Sequence, residues 1–203
     1  MLVGNRMTKN PVTIGADELL SEARDKMAAG GFRRLPVMSQ GKLVGIITDR
    51  DLRAHGGFLE RTKVNGIIGD RLITVRSSAT LEEAAQRLLG QKIGGLPVVE
   101  DGRLVGIITT SDILKAFLDV MGASQPASTR IDFILEGEEH GLFEASRIVS
   151  REGGDILGVG TYRERLGESP VCYLRLLGRD PERIAKALRA GGFDVLGVHE
   201  LAQ

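Results

Sequence analysis

At 203 residues, with 42% hydrophobic and 27% charged side chains, the chain can form one large domain or two small ones and has an ordinary globular balance. Its 27 basic and 27 acidic residues cancel, so no basic excess points to nucleic acid or an anionic membrane, and 4% aromatics without Trp argue against base-stacking platforms. A single cysteine, Cys172, excludes an intrachain disulfide and a cysteine-based metal site, while the lack of a signal pattern or an apolar run of roughly 20 residues predicts a cytoplasmic protein.

The first predicted elements are a short strand at Val12-Thr13-Ile14 and a helix capped by Asp17, with Leu19, Leu20, Ala23 and Met27 as its apolar stripe and Gly30-Gly31 as its stop. A Leu35-Pro36-Val37 strand, a turn at Gly41 and a second strand ending at Thr48 read as a hairpin, and a further helix begins near Asp51. The same signals then recur. Pro36 and Pro97, Gly45 and Gly106, Thr48 and Thr109, and Asp51 and Asp112 each stand 61 positions apart. A gap-free match over about 50 residues is a duplication. The second copy has a strand at Ile73-Thr74-Val75, a capping box at Thr80-Leu81-Glu82-Glu83 and a stripe of Leu81, Ala84, Ala85, Leu88 and Leu89. Each unit is thus β-α-β-β-α. About 60 residues make a marginal core, so the two copies are expected to pack together about a pseudo-twofold axis.

The most informative stretch occurs once per copy: Leu43 to Leu52, and Leu104 to Ile113. An apolar run too short for a helix ends at a Thr, and an Asp follows three residues later at the start of a helix. Such a strand end offers backbone N–H groups to an anion, and the Asp can accept two hydrogen bonds from a vicinal diol such as ribose. The same pair can equally serve as a helix cap.

With its Gly-x-x-Thr-x-x-Asp signature and Leu-Pro-Val strand, each copy resembles a CBS domain, and the two together resemble a Bateman module over residues 6–118. The resemblance implies an adenine-containing ligand in the cleft between the repeats: AMP, ADP or ATP, with S-adenosylmethionine a further candidate. Carried onto this sequence, it makes Asp51 and Asp112 the ribose acceptors and puts Thr48 and Thr109 near ribose or phosphate. It lines the base with backbone at Thr13 and Thr74 and borders the site with Pro36 and Pro97. Before Leu-Pro-Val the first repeat has Arg33-Arg34 and the second has Gly94-Gly95; in the motif, Arg50 faces Ser111. The site of Thr48 and Asp51 is therefore expected to prefer a phosphorylated ligand, with Arg33, Arg34 or Arg50 as anion partners. The shared cleft also lets Arg34 reach the other pocket. A surface role or an intersubunit salt bridge is the alternative for Arg33-Arg34.

Residues 122–129 are small and polar and contain Pro126, which reads as a linker. Beyond it come a strand at 130–135, a helix with the stripe Leu142, Ala145, Ile148 and Val149, strands at 156–162 and 171–177, a helix capped by Asp180-Pro181, and a last strand at 193–199. This β-α-β-β-α-β order is ferredoxin-like. The segment resembles an ACT domain, whose ligand site would fall at His140, Gly141 and Leu142. The run Glu136-Gly137-Glu138-Glu139 lacks the family's proline and would repel a carboxylate, so a pairing role is at least as well supported.

The expected architecture is α/β (α+β): CBS domain 1 at 1–60, CBS domain 2 at 61–121, a linker at 122–129 and an ACT-like domain at 130–203. Their combination resembles the acetoin-utilisation protein family. His55, His140 and His199 lack metal-ligand spacing, Cys172 shares a strand face with Leu174 and Leu176, and Gly158-Val159-Gly160 has no helix after it. No metal, no catalytic residue and no cofactor beyond the regulatory ligand are expected. The resulting expectation is a non-catalytic sensor, homodimeric through its CBS or ACT modules, acting on an enzyme partner without nucleic acid or membrane. An amino-acid sensor working through 130–203 is the alternative.

Overall fold

The computed structural model describes residues 1–69, 71–135, 141–163, 165, 169–178 and 180–200. The chain divides into two compact units at Leu114/Lys115. In the first unit the order is β1 (Thr8–Lys9), β2 (Ile14–Gly15), α1 (Leu20–Gly30), β3 (Arg34–Ser39), β4 (Lys42–Thr48), α2 (Asp49–Ala54), α3 (Leu81–Gln91), β5 (Gly95–Glu100) and β6 (Arg103–Thr109). Helix α4 (Thr110–Val120) starts there and continues past Leu114.

The duplication extends to backbone register. Strands β3 and β4 pair with Arg34 opposite Thr48 and a bulge at Val37/Met38; β5 and β6 pair with Gly95 opposite Thr109 and a bulge at Val98/Val99. Both hairpins turn through two residues of positive φ, Gln40-Gly41 and Asp101-Gly102, the geometry that matches strand twist. Pro36 is tolerated in the central strand β3 because β2 pairs only with Val37 and Met38, so no partner on that side needs its missing N–H.

The two sheets are β2-β3-β4 and β1-β6-β5, and the second mixes the repeats. Strand β1, from the first copy, pairs with β6 of the second at Thr8↔Ile107. The signature glycines are where this crossing occurs. A Cβ on Gly106 would collide with Met7 Sδ and stand 3.0 Å from the Thr8 carbonyl oxygen; one on Gly45 would stand 3.1 Å from Ile68 Cβ. Met7 and Ile68 are themselves 61 positions apart. The cores cross over likewise: Val64 is buried with Leu20, Leu35, Val37 and Ile47 of the first copy.

Several sequence expectations are corrected here. Asp17 does not cap α1; it reaches Asn65 (3.3 Å) and Lys63 (3.6 Å), and Glu22 accepts from the Leu19 N–H instead. Leu89 is 77% exposed, because it follows Leu88 by one position and so leaves the buried face of α3. Thr80 does cap α3, but Glu83 turns to Arg87 rather than closing the box. The segment Ile73-Thr74-Val75 makes a single bridge, Val75↔Val98, rather than a strand, and the strand placed at 12–14 lies at Ile14–Gly15.

The second unit holds β7 (Thr129–Ile134), α5 (Gly141–Arg151), β8 (Asp155–Tyr162), β9 (Val171–Leu177), α6 (Pro181–Ala190) and β10 (Val195–Glu200) in an antiparallel sheet ordered β10-β7-β9-β8. One sheet face, with Ile131, Phe133, Leu174 and Leu176, buries Ala145 and Val149 of α5 and Ile184 and Leu188 of α6. Phe133 and Phe193 meet edge to face at 5.2 Å. Leu142, expected in the α5 stripe, is exposed. Ser128 and Thr129, at the end of the expected linker, are buried, and Ser128 accepts from Arg175. Among the described residues no helix is long and apolar enough to cross a membrane.

Two outcomes follow. Thr48 and Thr109 each accept at 3.4 Å from the N–H of the Asp three residues on, so Thr48→Ala and Thr109→Ala should each lower ligand-free stability by about 1 kcal/mol in urea denaturation. Burial pushes the Cys172 thiol up to about 11, with Asp132 adding to the shift. The thiolate that reacts is therefore scarce at pH 8, and iodoacetamide should label Cys172 only after unfolding, not at the rate of a free cysteine.

Candidate functional site

Strand β4 delivers Thr48 to the N-cap of α2 in extended backbone conformation. There Asp51 Oδ2 accepts from the Thr48 N–H at 2.8 Å and the Thr48 hydroxyl at 2.6 Å. The second motif repeats this: Asp112 Oδ2 accepts from the Thr109 N–H at 2.8 Å and its hydroxyl at 2.7 Å. Each pair is therefore a helix cap. The cap occupies one carboxylate oxygen only, and among the described residues Oδ1 of neither Asp takes a hydrogen bond. Capping and ligand acceptance are thus compatible in the same side chain.

Each motif opens onto a cavity whose far wall belongs to the other repeat. The Asp51 cavity, about 320 Å³, has Ile46, Thr48, Arg50 and Asp51 on one side and Gly69, Arg71, Ile73, Lys92 and Ile93 on the other. The Asp112 cavity, about 250 Å³, has Ile107, Thr109 and Asp112 facing Thr8, Asn10, Val12 and Phe32. These walls correspond through the 61-residue offset: Thr8 with Gly69, Asn10 with Arg71, Val12 with Ile73, Phe32 with Ile93. The crossing strand segments thus build both cavities.

Charge breaks the symmetry. Among the described residues the Asp51 cavity gathers Arg34, Arg50, Arg71 and Lys92 against Asp49 and Asp51, whereas the Asp112 cavity has Arg34 and Asp112 as its charged groups. Among the described residues Arg50, Arg71 and Lys92 make no ion pair or side-chain hydrogen bond. Arg34 reaches both cavities. Its Nη1 donates to the Gly94 carbonyl, and its stem crosses Gly95, where a Cβ would come within 2.7 Å of Cδ. Burial lowers its pKa, as does Arg33, while Asp49 and Asp112 oppose the shift. The Gly94-Gly95 pair is therefore the bed for Arg34, inside the Asp51 cavity.

Of the expected site residues, Arg34, Thr48, Arg50, Asp51, Gly94 and Gly95 meet in the Asp51 cavity, and Arg34, Pro36, Thr109 and Asp112 in the other. Arg33 and Ser111 line neither; they border a third cavity beside the first. Thr13 and Thr74 are also outside both. The Thr13 carbonyl accepts from Lys26 and that of Thr74 from Arg87, and the adjacent Val12 and Ile73 face the cavities. Pro97 lines neither cavity. Sequence reasoning missed Arg71 and Lys92, which the offset would have marked as the counterparts of Asn10 and Gly31 once the crossing was known. His140 lies outside the described residues; Gly141 is buried at the start of α5. Among the described residues no group of three or more His, Cys, Asp or Glu could hold a metal ion.

Comparison with known proteins accords with this geometry. A CBS domain-containing protein of Dictyostelium discoideum is 35% identical over 143 residues, 63% of this chain and 99% of that protein. Inosine-5'-monophosphate dehydrogenase of Staphylococcus haemolyticus is 37% identical over 131 residues, and there the chain spans only 26% of the enzyme. Among solved structures, the CBS domain pair of protein MJ0100, in complex with 5'-methylthioadenosine and S-adenosyl-L-methionine, superposes with TM-score 0.54 at 30% identity over 58% of this chain and 95% of that one. CBSX2 in complex with AMP gives 0.52 at 30% identity over 58% and 96%. A Vibrio cholerae protein assigned to acetoin utilization (AcuB) gives 0.56 at 32% identity over 61% and 96%. The CBS domain profile matches residues 3–56 and 64–119, more than half of the sequence, and the chain belongs to the CBS domain family.

Proposed function

We propose that this protein is a non-catalytic sensor that binds an adenine nucleotide in the Asp51 cavity and regulates a partner. One observation carries the reading: a cavity of about 320 Å³ that brings Asp51, with its Oδ1 unbonded, together with Arg50, Arg71 and Lys92, all three cations without an ion pair among the described residues. Asp51 Oδ1 suits the vicinal hydroxyls of ribose. The cations suit phosphate, with arginine offering a planar fork. Ile46, Ile67, Ile73 and Ile93 supply apolar walls for a purine. The volume falls in the range of small-molecule sites, about 300–1,000 Å³.

Related CBS pairs in complex with AMP, or with 5'-methylthioadenosine and S-adenosyl-L-methionine, support the adenosine part. Local charge selects among such ligands. The sulfonium of S-adenosylmethionine is disfavoured beside four cations, so AMP, ADP or ATP is the expected occupant. The match to inosine-5'-monophosphate dehydrogenase covers only 26% of that enzyme and so lends no support to catalysis by this chain. On this reading the β-α-β-β-α-β unit acts as an ACT-like output or pairing domain, reached through α4, which runs from one unit into the other. Exposed Leu114, Phe117 and Val120 on α4 favour homodimerisation. The likeness to AcuB makes an enzyme of acetoin utilization the first partner to assay.

A thermal-shift panel tests the reading. A nucleotide at about 100 times its dissociation constant adds about 2.7 kcal/mol. AMP, ADP or ATP should raise the melting temperature of the wild type and leave Asp51→Ala unmoved. A shift that survives in Asp51→Ala, or a larger one with S-adenosylmethionine, contradicts the assignment.

A further inference from the structure

The repeats also differ at a place that lines none of the cavities described above. In the first repeat the Glu18 carboxylate rests in a small cradle. One of its oxygens accepts from the Gly15 N–H and the other from Lys26 Nζ at 2.8 Å, and Lys26 also donates to the Thr13 carbonyl at 3.2 Å. The bond from Lys26 is the main reason that the Glu18 carboxyl titrates below its usual range; burial opposes the shift and the Gly15 N–H adds to it. The cradle therefore favours an ionised carboxylate.

The cradle recurs 61 positions on without its carboxylate: Thr13, Gly15, Glu18 and Lys26 correspond to Thr74, Arg76, Ala79 and Arg87. The backbone keeps the same course. The Glu18 N–H donates to the Gly15 carbonyl at 3.1 Å and the Ala79 N–H to the Arg76 carbonyl at 3.2 Å, while the Glu18 and Ala79 carbonyls each accept at 2.9 Å, from the N–H of Val64 and of Val3. Arg87 Nη1 reaches the Thr74 carbonyl at 2.7 Å, as Lys26 reaches that of Thr13. Where the first repeat has the Glu18 side chain the second has a methyl group, and there it has a cavity of about 510 Å³ with Thr74, Arg76, Ser78, Ala79, Glu83 and Arg87 in its lining. Donors are left over in it. Among the described residues the Arg76 N–H, counterpart of the Gly15 N–H, has no acceptor, and the Arg76 side chain makes no ion pair. Arg87 gives Nη2 to Glu83 at 2.7 Å and keeps further N–H groups of its fork. Glu100, whose charge Arg76 feels, accepts from the Ser77 N–H and hydroxyl and does not line the cavity.

We propose that this cavity binds one carboxylate group of another molecule, in the place that Glu18 fills in the first repeat. The Arg76 N–H and the Arg87 guanidinium take its two oxygens, as the Gly15 N–H and Lys26 take those of Glu18, and charge-assisted bonds of this kind are the strong ones. The Arg76 side chain adds a second positive charge at the rim. A free carboxylic acid and an acidic side chain of a polypeptide present the same group. The site shares no lining residue with the Asp51 or Asp112 cavity, so it stands or falls independently of the nucleotide reading.

Amide NMR spectra of the full chain, titrated with sodium acetate and in parallel with sodium chloride, test this through the Arg76 resonance. Acetate should shift that amide saturably, and chloride at the same concentrations should not. Ala79→Glu gives the second repeat the side chain that the first already accommodates; it should fill the cradle from within and weaken acetate binding at least tenfold. Arg87→Gln, which keeps a donor for the Thr74 carbonyl but removes the charge, should also weaken it at least tenfold. The remaining amide resonances show that each variant is folded. The peptide acetyl-Gly-Glu-Gly-amide separates the two sources: binding at least tenfold tighter than acetate assigns the site to a polypeptide, and equal or weaker binding assigns it to a free acid. An Arg76 amide that acetate leaves in place, that chloride moves equally, or that responds to acetate unchanged in both variants overturns the proposal.

Discussion

The first unit depends on a close crossing of backbones. Each motif strand has a glycine, Gly45 or Gly106, where the segment opening the other repeat passes at van der Waals distance, and a side chain at Gly106 would strike Met7 and the Thr8 carbonyl. This contact lets β1 join the sheet of the other copy and lets Val64 enter a core otherwise made by the first repeat. A copy of about 60 residues makes only a marginal core by itself. The crossing therefore stabilises the pair and, in the same step, sets the walls of both cavities. Cavities walled by both repeats in this way have no counterpart in an isolated repeat.

Duplication supplies two equivalent cavities, and later charge changes make them different. The caps at Thr48/Asp51 and Thr109/Asp112 agree within 0.1 Å in the bonds to the carboxylate. The cations do not follow that symmetry. Arg71 and Lys92 face Asp51, while Asn10 and Gly31 hold the corresponding positions of the other copy. Arg34 is the link between the cavities, since its guanidinium is fastened to the Gly94 carbonyl and borders all three of them. The glycine pair that looked like a missing anion site in the second repeat is instead the space that Arg34 occupies.

Much of this was legible in the sequence because repetition amplifies weak signals. The 61-residue offset marked the hairpins and the paired Thr and Asp, which is all that local pattern can carry. The crossing was not legible, since a strand of two residues, Thr8–Lys9, has no periodicity to detect. Missing it hid Arg71 and Lys92, whose chain neighbours gave no hint of which cavity they would face. Asp17 failed as a cap because Asn65 and Lys63, distant in sequence, offer it partners. In the second unit the alternation of Ile131, Phe133, Leu174 and Leu176 fixed the sheet's buried face, whereas nothing local distinguished exposed Leu142 from buried Ala145.

The central claim is that one carboxylate holds a sugar while cations from both repeats hold its phosphates. A crystal structure of the protein grown with ADP measures this directly. The account predicts ribose hydroxyls within hydrogen-bonding distance of Asp51 Oδ1 and phosphate oxygens on Arg50 together with Arg71 or Lys92. A nucleotide bound elsewhere, or bound in this cavity with its ribose away from Asp51, would contradict it.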